Sequence, residues 1–91
     1  MTKAKKRTKL LIVMELLEIL SSDELPPTRL ATLVNMPYDR LANLLRELEE
    51  KKLVEVVEGG RSRVVRITEE GLKLLGELKK IKKILDEYGL V

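Results

Sequence analysis

The side chains best suited to specific recognition are concentrated in one short stretch of the chain. Between positions 38 and 46, a tyrosine, an aspartate, two arginines and an asparagine lie on or beside the polar face of one helical pattern. Arginine can read guanine, and asparagine can read adenine, through paired hydrogen bonds in the major groove of a DNA duplex. The candidate residues for contacting nucleic acid in this stretch are Tyr38, Asp39, Arg40, Asn43 and Arg46.

The same helical pattern becomes acidic towards its end, and this leaves a second interpretation open. Glu47, Glu49 and Glu50 would repel phosphate groups at close range. They fall in the later turns, which usually leave the groove when a recognition helix docks on DNA. The alternative is a surface helix within a protein–protein interaction module.

A glycine-rich segment further along the chain carries two more arginines. Arg61 and Arg63 flank Ser62, directly after Gly59-Gly60. A guanidinium group at a hairpin tip can enter a narrow minor groove of DNA, and we expect this of Arg61 in particular. The alternative is a solvated tip in which Arg63 pairs with Glu58 across the hairpin.

The start of the chain is the third basic segment. Five positive charges fall within the first nine residues, so the remainder of the chain carries a net charge of −2. We expect residues 1–9 to form a flexible arm that follows phosphates or enters a minor groove. Its candidate contacts are Lys5, Lys6 and Arg7. A solubilising tail is the alternative for the same segment.

Other kinds of chemistry lack the residues that they need. The chain has no cysteine and no histidine, which removes the usual metal ligands and the usual general base. Gly59-Gly60 is typical of a turn and does not form a phosphate-binding motif. The longest mostly apolar run, residues 10–20, contains two glutamates and is too short to cross a bilayer. We therefore expect no enzyme activity, no cofactor, no metal and no membrane partner, and a cytoplasmic location.

Helical periodicity predicts the elements that position these side chains. Residues 10–20 are apolar around most of a helix, which indicates burial on more than one side. Thr28 is suited to cap a short second helix, and Asn35 is suited to end it in left-handed geometry. Pro37 fits the first turn of a third helix. The spacing of this pair predicts a helix-turn-helix, and the inner side of the third helix is Leu41, Leu44, Leu45 and Leu48.

Alternating β-branched residues predict a hairpin after the third helix. Two runs, residues 53–58 and 63–67, flank Gly59-Gly60-Arg61-Ser62. Pairing positions whose numbers sum to 121 sets apolar residues against apolar ones and acids against arginines, whereas a sum of 119 sets Val56 against Arg63. We therefore predict the first register, with a four-residue loop. The face packed on the helices would be Val54, Val56, Val65 and Ile67.

The last predicted helix runs from about Glu69 to Tyr88, with Thr68 as its cap. Apolar residues recur along it in alternating steps of four and three, which is typical of a coiled-coil seam. Such residues are most often core, but a domain this small has few surfaces to cover so long a helix. We therefore predict a homodimer. Its dimerisation residues would be Leu74, Leu78, Ile81, Leu85 and Tyr88.

This order of elements resembles the winged helix-turn-helix family. The most specific pieces are LEEKKLVE at positions 48–55 and ITEEG at positions 67–71, on either side of the hairpin. They are similar to archaeal regulators of the MarR and PadR type and to small archaeal chromatin-associated proteins. The chain departs from the pattern at Lys52, where the family usually has glycine, and in its acidic third helix. The high lysine and glutamate content is also typical of heat-adapted proteins.

The resemblance implies a mainly α fold with a small β-hairpin (α+β). It implies a winged helix-turn-helix domain at residues 10–68 and an added C-terminal dimerisation helix at residues 69–91. The implied partners are double-stranded DNA and a second copy of the chain, paired through antiparallel last helices. The implied role is transcription regulation, or a chromatin function at the nucleoid.

Overall fold

The computed structural model describes residues 8–90 of the 91-residue chain. The two strands pair antiparallel in a single hairpin. The order of the elements, three helices, a hairpin and a last helix, confirms the predicted winged helix-turn-helix fold. The elements are α1 (Lys9–Ser22), α2 (Pro27–Leu33), α3 (Tyr38–Glu50), β1 (Val54–Gly59), β2 (Ser62–Ile67) and α4 (Glu69–Glu87).

One hydrophobic core joins all of these elements. Leu16 and Leu17 of α1 are completely buried. The leucines predicted for the inner side of α3 are all buried as well, which leaves the polar side of α3 facing outwards. α4 contributes Leu75 to the same core, so its first turns pack with the helix-turn-helix. The other buried members are Val13, Leu20, Leu30, Ala31, Val34, Val54 and Val65.

The apolar surface of α1 is covered less widely than its sequence indicates. Its buried residues begin at Val13, whereas Leu10 is 54% exposed and Leu11 is 44% exposed. The expected burial on more than one side therefore does not extend to the first turn. The reason is that the neighbouring helix α4 lies against the later turns, where Glu18 pairs with Lys79 at 3.2 Å.

The second helix begins two residues earlier than its predicted cap allows. Pro26 is the cap residue and Pro27 is the first helical residue, so the expectation that Thr28 caps this helix is wrong. Proline is favoured at this position because its φ is already close to the helical value and its missing N–H would have no partner there.

Three helices end in the same way, with a residue in the left-handed region. After α2, α3 and α4 this residue is Asn35, Lys52 and Gly89, with φ of 57°, 64° and 71°. The two amides at each end donate back to the last turn, as in Lys52 N to Glu49 O at 2.9 Å and Leu53 N to Leu48 O at 3.0 Å. This is the Schellman arrangement. It confirms the left-handed geometry predicted at Asn35.

The hairpin has the predicted register, with every pair summing to 121. The ladder continues one step further than expected, to Gly59 opposite Ser62. The loop therefore has two residues, not four, and Gly60 begins it with a φ of 62°. Val54 and Val65 are buried on the face that packs against the helices. Leu25 exchanges both backbone hydrogen bonds with Val65, at 3.1 and 2.7 Å, and so ties the segment before α2 to β2.

Replacing Lys52 by glycine is expected to stabilise the fold by about 0.5–1 kcal/mol. A left-handed residue with a β-carbon costs about 1–2 kcal/mol, and the larger chain entropy of glycine in the unfolded state offsets part of this gain. Urea denaturation at constant protein concentration would measure the change. Lys51→Gly is the matched control, because Lys51 has a φ of −86° and glycine there should only destabilise. A loss of stability in Lys52→Gly would contradict the strain assigned to this position.

Candidate nucleic-acid interface

The outer face of α3 presents the recognition residues predicted from the sequence. Tyr38, Asp39, Arg40, Asn43 and Arg46 are all exposed. Arg46 donates a hydrogen bond from Nη1 to the Asn43 Oδ1 atom at 2.8 Å. An amide oxygen can accept a second hydrogen bond and the amide nitrogen can donate two. Asn43 is therefore oriented by Arg46 while it keeps the donor and acceptor that reading adenine requires.

The first turn of α1 lies against this face of α3. Lys9 and Ile12 line one surface hollow with Met36, Arg40 and Asn43. The described chain begins at Thr8, directly before this turn, and the Thr8 hydroxyl caps α1 by accepting from the Leu11 amide at 3.2 Å. The predicted arm contacts Lys5, Lys6 and Arg7 lie outside the described residues.

One of the acidic residues on α3, Glu47, forms ion pairs with two lysines. The Lys9 Nζ atom lies 2.6 Å from Glu47 Oε2, and the Lys51 Nζ atom lies 3.8 Å from the same oxygen. The hydrogen bond from Lys9 is the main reason that the pKa of Glu47 is lowered from its ordinary value. Glu47 thus stays ionised and paired, which reduces the repulsion that it would exert on a phosphate. Glu49 and Glu50 are exposed on the last turn of α3.

The hairpin tip carries its two arginines in different environments. Within residues 8–90, Arg61 has no hydrogen-bond or ion-pair partner and is exposed. Arg63 stands opposite Glu58 in the register, but the described side chains show no ion pair between them. Its Nη2 atom instead donates to the Tyr38 hydroxyl at 3.3 Å. The hairpin is therefore joined to the start of α3, a contact that the sequence did not reveal.

These contacts make one continuous surface. It runs from Lys9 past Arg40 and Asn43 to Arg46, and a groove that also contains Tyr38 and Arg63 continues it to the hairpin. Arg66 is excluded, because it points to the other side of β2 and pairs with Glu55 at 3.3 Å and Glu24 at 3.7 Å.

Two threonines beside this surface were missed by the sequence interpretation. Thr28 and Thr32 line a second hollow together with Asn35, Met36 and Tyr38. The available signal was the spacing of two hydroxyl residues four positions apart, which places them on the same side of a helix. Assigning Thr28 to a capping role hid this signal.

The predicted dimer seam is divided between two environments. Leu74, Leu78 and Leu85 are half-buried, and Leu74 packs against the chain's own core. Ile81 is 51% exposed and Tyr88 is 76% exposed. Ile84, which lies off the predicted seam, is also 51% exposed. The apolar residues left open on this side of α4 are therefore Ile81, Ile84 and Tyr88.

Within residues 8–90 there is no group of three acidic side chains placed to hold a metal ion. No helix in the same range is long and apolar enough to span a bilayer.

A winged helix-turn-helix family model matches residues 6–86. The transcriptional regulator BldR of Sulfolobus solfataricus superimposes with a TM-score of 0.79 at 22% identity, over 87% of this chain and 59% of BldR. MepR, a transcription regulator of the Staphylococcus aureus multidrug efflux pump MepA, superimposes with a TM-score of 0.76 at 26% identity, over 85% of this chain and 60% of MepR. MepR in the crystal structure of its complex with DNA superimposes with a TM-score of 0.72 at 25% identity, over 86% of this chain and 68% of that MepR chain.

A curated protein of Archaeoglobus fulgidus is 32% identical over 57 residues, which are 63% of this chain and 60% of the relative. This chain thus spans about three-fifths of the length of BldR, MepR and the Archaeoglobus protein.

Proposed function

The chain belongs to the winged helix-turn-helix family, and on that premise we propose that it is a homodimeric DNA-binding protein of transcription regulation or chromosome organisation. The observation that carries the proposal is the continuous exposed surface from Lys9 across the outer face of α3 to Arg63. Basic and amide side chains on one helix face, beside a hairpin, match the contacts by which this class of helix enters a major groove. Duplex DNA as partner places the protein at the nucleoid, in the cytoplasm.

The residues divide into those that read bases and those that hold the backbone. Arg40 and Asn43, in the first half of α3, are the proposed base-reading residues, because the N-terminal part of such a helix reaches base edges. Arg61 at the tip of the hairpin is proposed to enter the minor groove, where a narrow groove attracts guanidinium groups. Lys9 and the basic segment before it would follow phosphates, which adds affinity without sequence preference.

A related protein that has been crystallised with its partner supports DNA as the proposed partner of this chain. MepR, at 25% identity over 86% of this chain, has been crystallised with DNA. The pairing of Glu47 with Lys9 and Lys51 lessens the main objection to a polyanion, which is the acidic character of α3. Glu49 and Glu50 remain exposed; they lie on the last turn of the helix, which usually leaves the groove.

The proposed dimer uses the open apolar residues of α4. A second copy laid on this side would cover Ile81, Ile84 and Tyr88. An antiparallel arrangement places the lysines at positions 79–83 of one copy beside Asp86 and Glu87 of the other, whereas a parallel one aligns lysines with lysines. The two α3 helices would then address two half-sites on one duplex, separated by about one helical turn of 34–36 Å or a multiple of it.

A salt-dependent binding titration on mixed genomic fragments tests the function, followed by footprinting of the fragments that are retained. Each phosphate that the protein neutralises should add about 0.9 to the slope of log affinity against log salt. A sharp footprint would indicate a regulator, and uniform coverage would indicate a chromosome-organising protein. If no fragment is retained at low salt, the chain is a protein-binding module and the proposal is wrong.

Replacing Arg40 or Asn43 by alanine is expected to reduce discrimination between the retained site and random duplex by about 1–3 kcal/mol for each base that is no longer hydrogen-bonded. Affinity for random duplex should change little, because that binding depends on phosphate contacts. Competition titrations with both duplexes would measure the difference. Arg66→Ala is a suitable control, since it removes one positive charge on the side of β2 where Arg66 pairs with Glu55 and Glu24. Equal losses on both duplexes would show that these side chains contact only phosphates.

A further inference from the structure

The junction between the hairpin and α3 concentrates hydrogen-bond donors without acceptors. Arg63 Nη2 donates to the Tyr38 hydroxyl at 3.3 Å. A guanidinium group has five N–H donors and a phenol has one O–H donor, so four donors of Arg63 and the proton of Tyr38 remain. Within the described chain, none of them meets a protein acceptor. Both side chains are exposed, so these donors are open to an external acceptor.

The charge around this junction favours an anion. Tyr38 and Arg63 line a groove between α3 and the hairpin in which Arg46 also lies, together with one acid, Glu49. No ion pair joins that acid to either arginine among residues 8–90, so the guanidinium of Arg63 is not neutralised. The acid opposite in the register, Glu58, forms none with Arg63 either.

We propose that Tyr38 and Arg63 together form a binding site for one phosphate group of the DNA backbone, at the junction of α3 and the hairpin. We call this pair of side chains the seat. Arg63 supplies the charge and Tyr38 supplies an O–H donor. The hydrogen bond that Tyr38 accepts from a cation polarises its hydroxyl and makes it a stronger donor. Phosphate contacts fix the orientation of a protein on the duplex without reading sequence. The seat would therefore set how far the hairpin stands from the groove that α3 enters, and it leaves Arg61 as the minor-groove residue.

This inference rests on the proposed DNA-binding function, and the pair of residues allows a double-mutant cycle. Affinity would be measured for a mixed-sequence duplex of about three helical turns, at several salt concentrations, with wild type, Tyr38→Phe, Arg63→Ala and the double variant. Arg63→Ala should lower the salt slope by about 0.9. Tyr38→Phe keeps the ring and the charge, so we expect affinity to fall roughly three- to tenfold with the slope unchanged. The double variant should lose clearly less than the product of the two single losses, because the residues share one ligand.

Two further variants separate the seat from general electrostatics. Arg66→Ala removes the same charge from β2 on the side where it pairs with Glu55 and Glu24, and it should change the salt slope less than Arg63→Ala does. Arg63→Lys should keep the slope but lose the coupling with Tyr38, since an ammonium group lacks the planar fork of donors. Unchanged melting temperatures would show that the variants are folded.

The outcomes distinguish the two proposals. If wild type binds the duplex and the losses of Tyr38→Phe and Arg63→Ala multiply, or if Tyr38→Phe has no effect, the seat is refuted while DNA binding stands. If wild type does not bind the duplex at low salt, the proposed function falls and the seat falls with it.

Discussion

Gly71→Ala is expected to lower the free energy of unfolding by about 3 kcal/mol, which is at the upper end for one added methyl group in a packed site. A β-carbon at Gly71 would collide with the carbonyl oxygen of Leu53 and would lie 2.7 Å from Cγ1 of Ile67. The carbonyl cannot easily move away, because it accepts from the Thr68 amide at 3.1 Å. The Thr68 hydroxyl, 3.0 Å from the same oxygen, also caps α4 by accepting from the Gly71 amide at 3.0 Å. The methyl group would therefore push α4 away from the entry of β1.

Gly76→Ala is the matched control on the same helix. Among residues 8–90, nothing beyond the neighbouring backbone of α4 itself lies within 4 Å of a β-carbon built at Gly76, so only helix propensity changes. Alanine is favoured over glycine inside a helix by about 0.5–1 kcal/mol, and we expect this variant to be more stable than wild type. Thermal melts at one protein concentration would compare them. For a domain of this size, Gly71→Ala should melt roughly 10–20 °C below wild type. Equal melting temperatures for the two variants would contradict the close packing of α4 on β1.

Replacing both Ile81 and Ile84 by glutamate is expected to convert the proposed dimer to a monomer. Burial of an isoleucine side chain is worth about 1.5–3 kcal/mol, and each substitution occurs in both copies. Because each isoleucine is about half exposed in the single chain, dimerisation can bury only about half of its side chain, and the four positions together lose about 3 kcal/mol or more. This raises the dissociation constant at least roughly a hundredfold. Both residues are 51% exposed in the single chain, so its own fold should tolerate the change. Light scattering across a range of concentrations would report the mass.

Leu72→Glu is the control for this pair of substitutions. Leu72 is also exposed on α4, at 47%. It lies nine residues before Ile81, which is two and a half helical turns, so it points to the opposite side of the helix. We expect this variant to keep the mass of wild type. A dimer that survives the double substitution, or a wild-type protein that is monomeric at high concentration, would refute the proposed interface.

The register of the hairpin is a feature that side-chain types along the sequence predict. Two candidate pairings were separated by side-chain compatibility alone, and the pairing of Val56 with Val65 is the one observed. Each residue in a ladder faces a partner whose number is fixed by the loop, so a wrong register mismatches several pairs at once. The helix ends were less predictable. The start of α2 differs by two residues from the prediction, with Pro26 in place of Thr28 as the cap, because either helix start satisfies the local preferences.

The candidate site was predictable in its composition but not in its internal contacts. The outward position of Arg40, Asn43 and Arg46 follows from the four inward leucines of α3, since both faces belong to one period. The hydrogen bond from Arg63 to Tyr38 joins residues 25 positions apart, and the one from Lys9 to Glu47 spans 38 positions. The local sequence around each partner does not indicate that they meet.

The order of elements, the inner face of α3 and the pairing of the strands follow from the amino-acid sequence alone, because each of these depends on periodic spacing within one segment. Which side of α4 remains exposed depends instead on how the helix packs against the other elements. Leu74 packs against the chain's own core, while Ile84 remains exposed. The alternating steps of four and three place Leu74 in the dimer seam and Ile84 outside it. α4 packs on the rest of the chain through Gly71, which closely approaches the Leu53 carbonyl, and through Leu75, which is buried, and these contacts fix the side of the helix that faces the core. Such contacts between distant segments have no periodic signature.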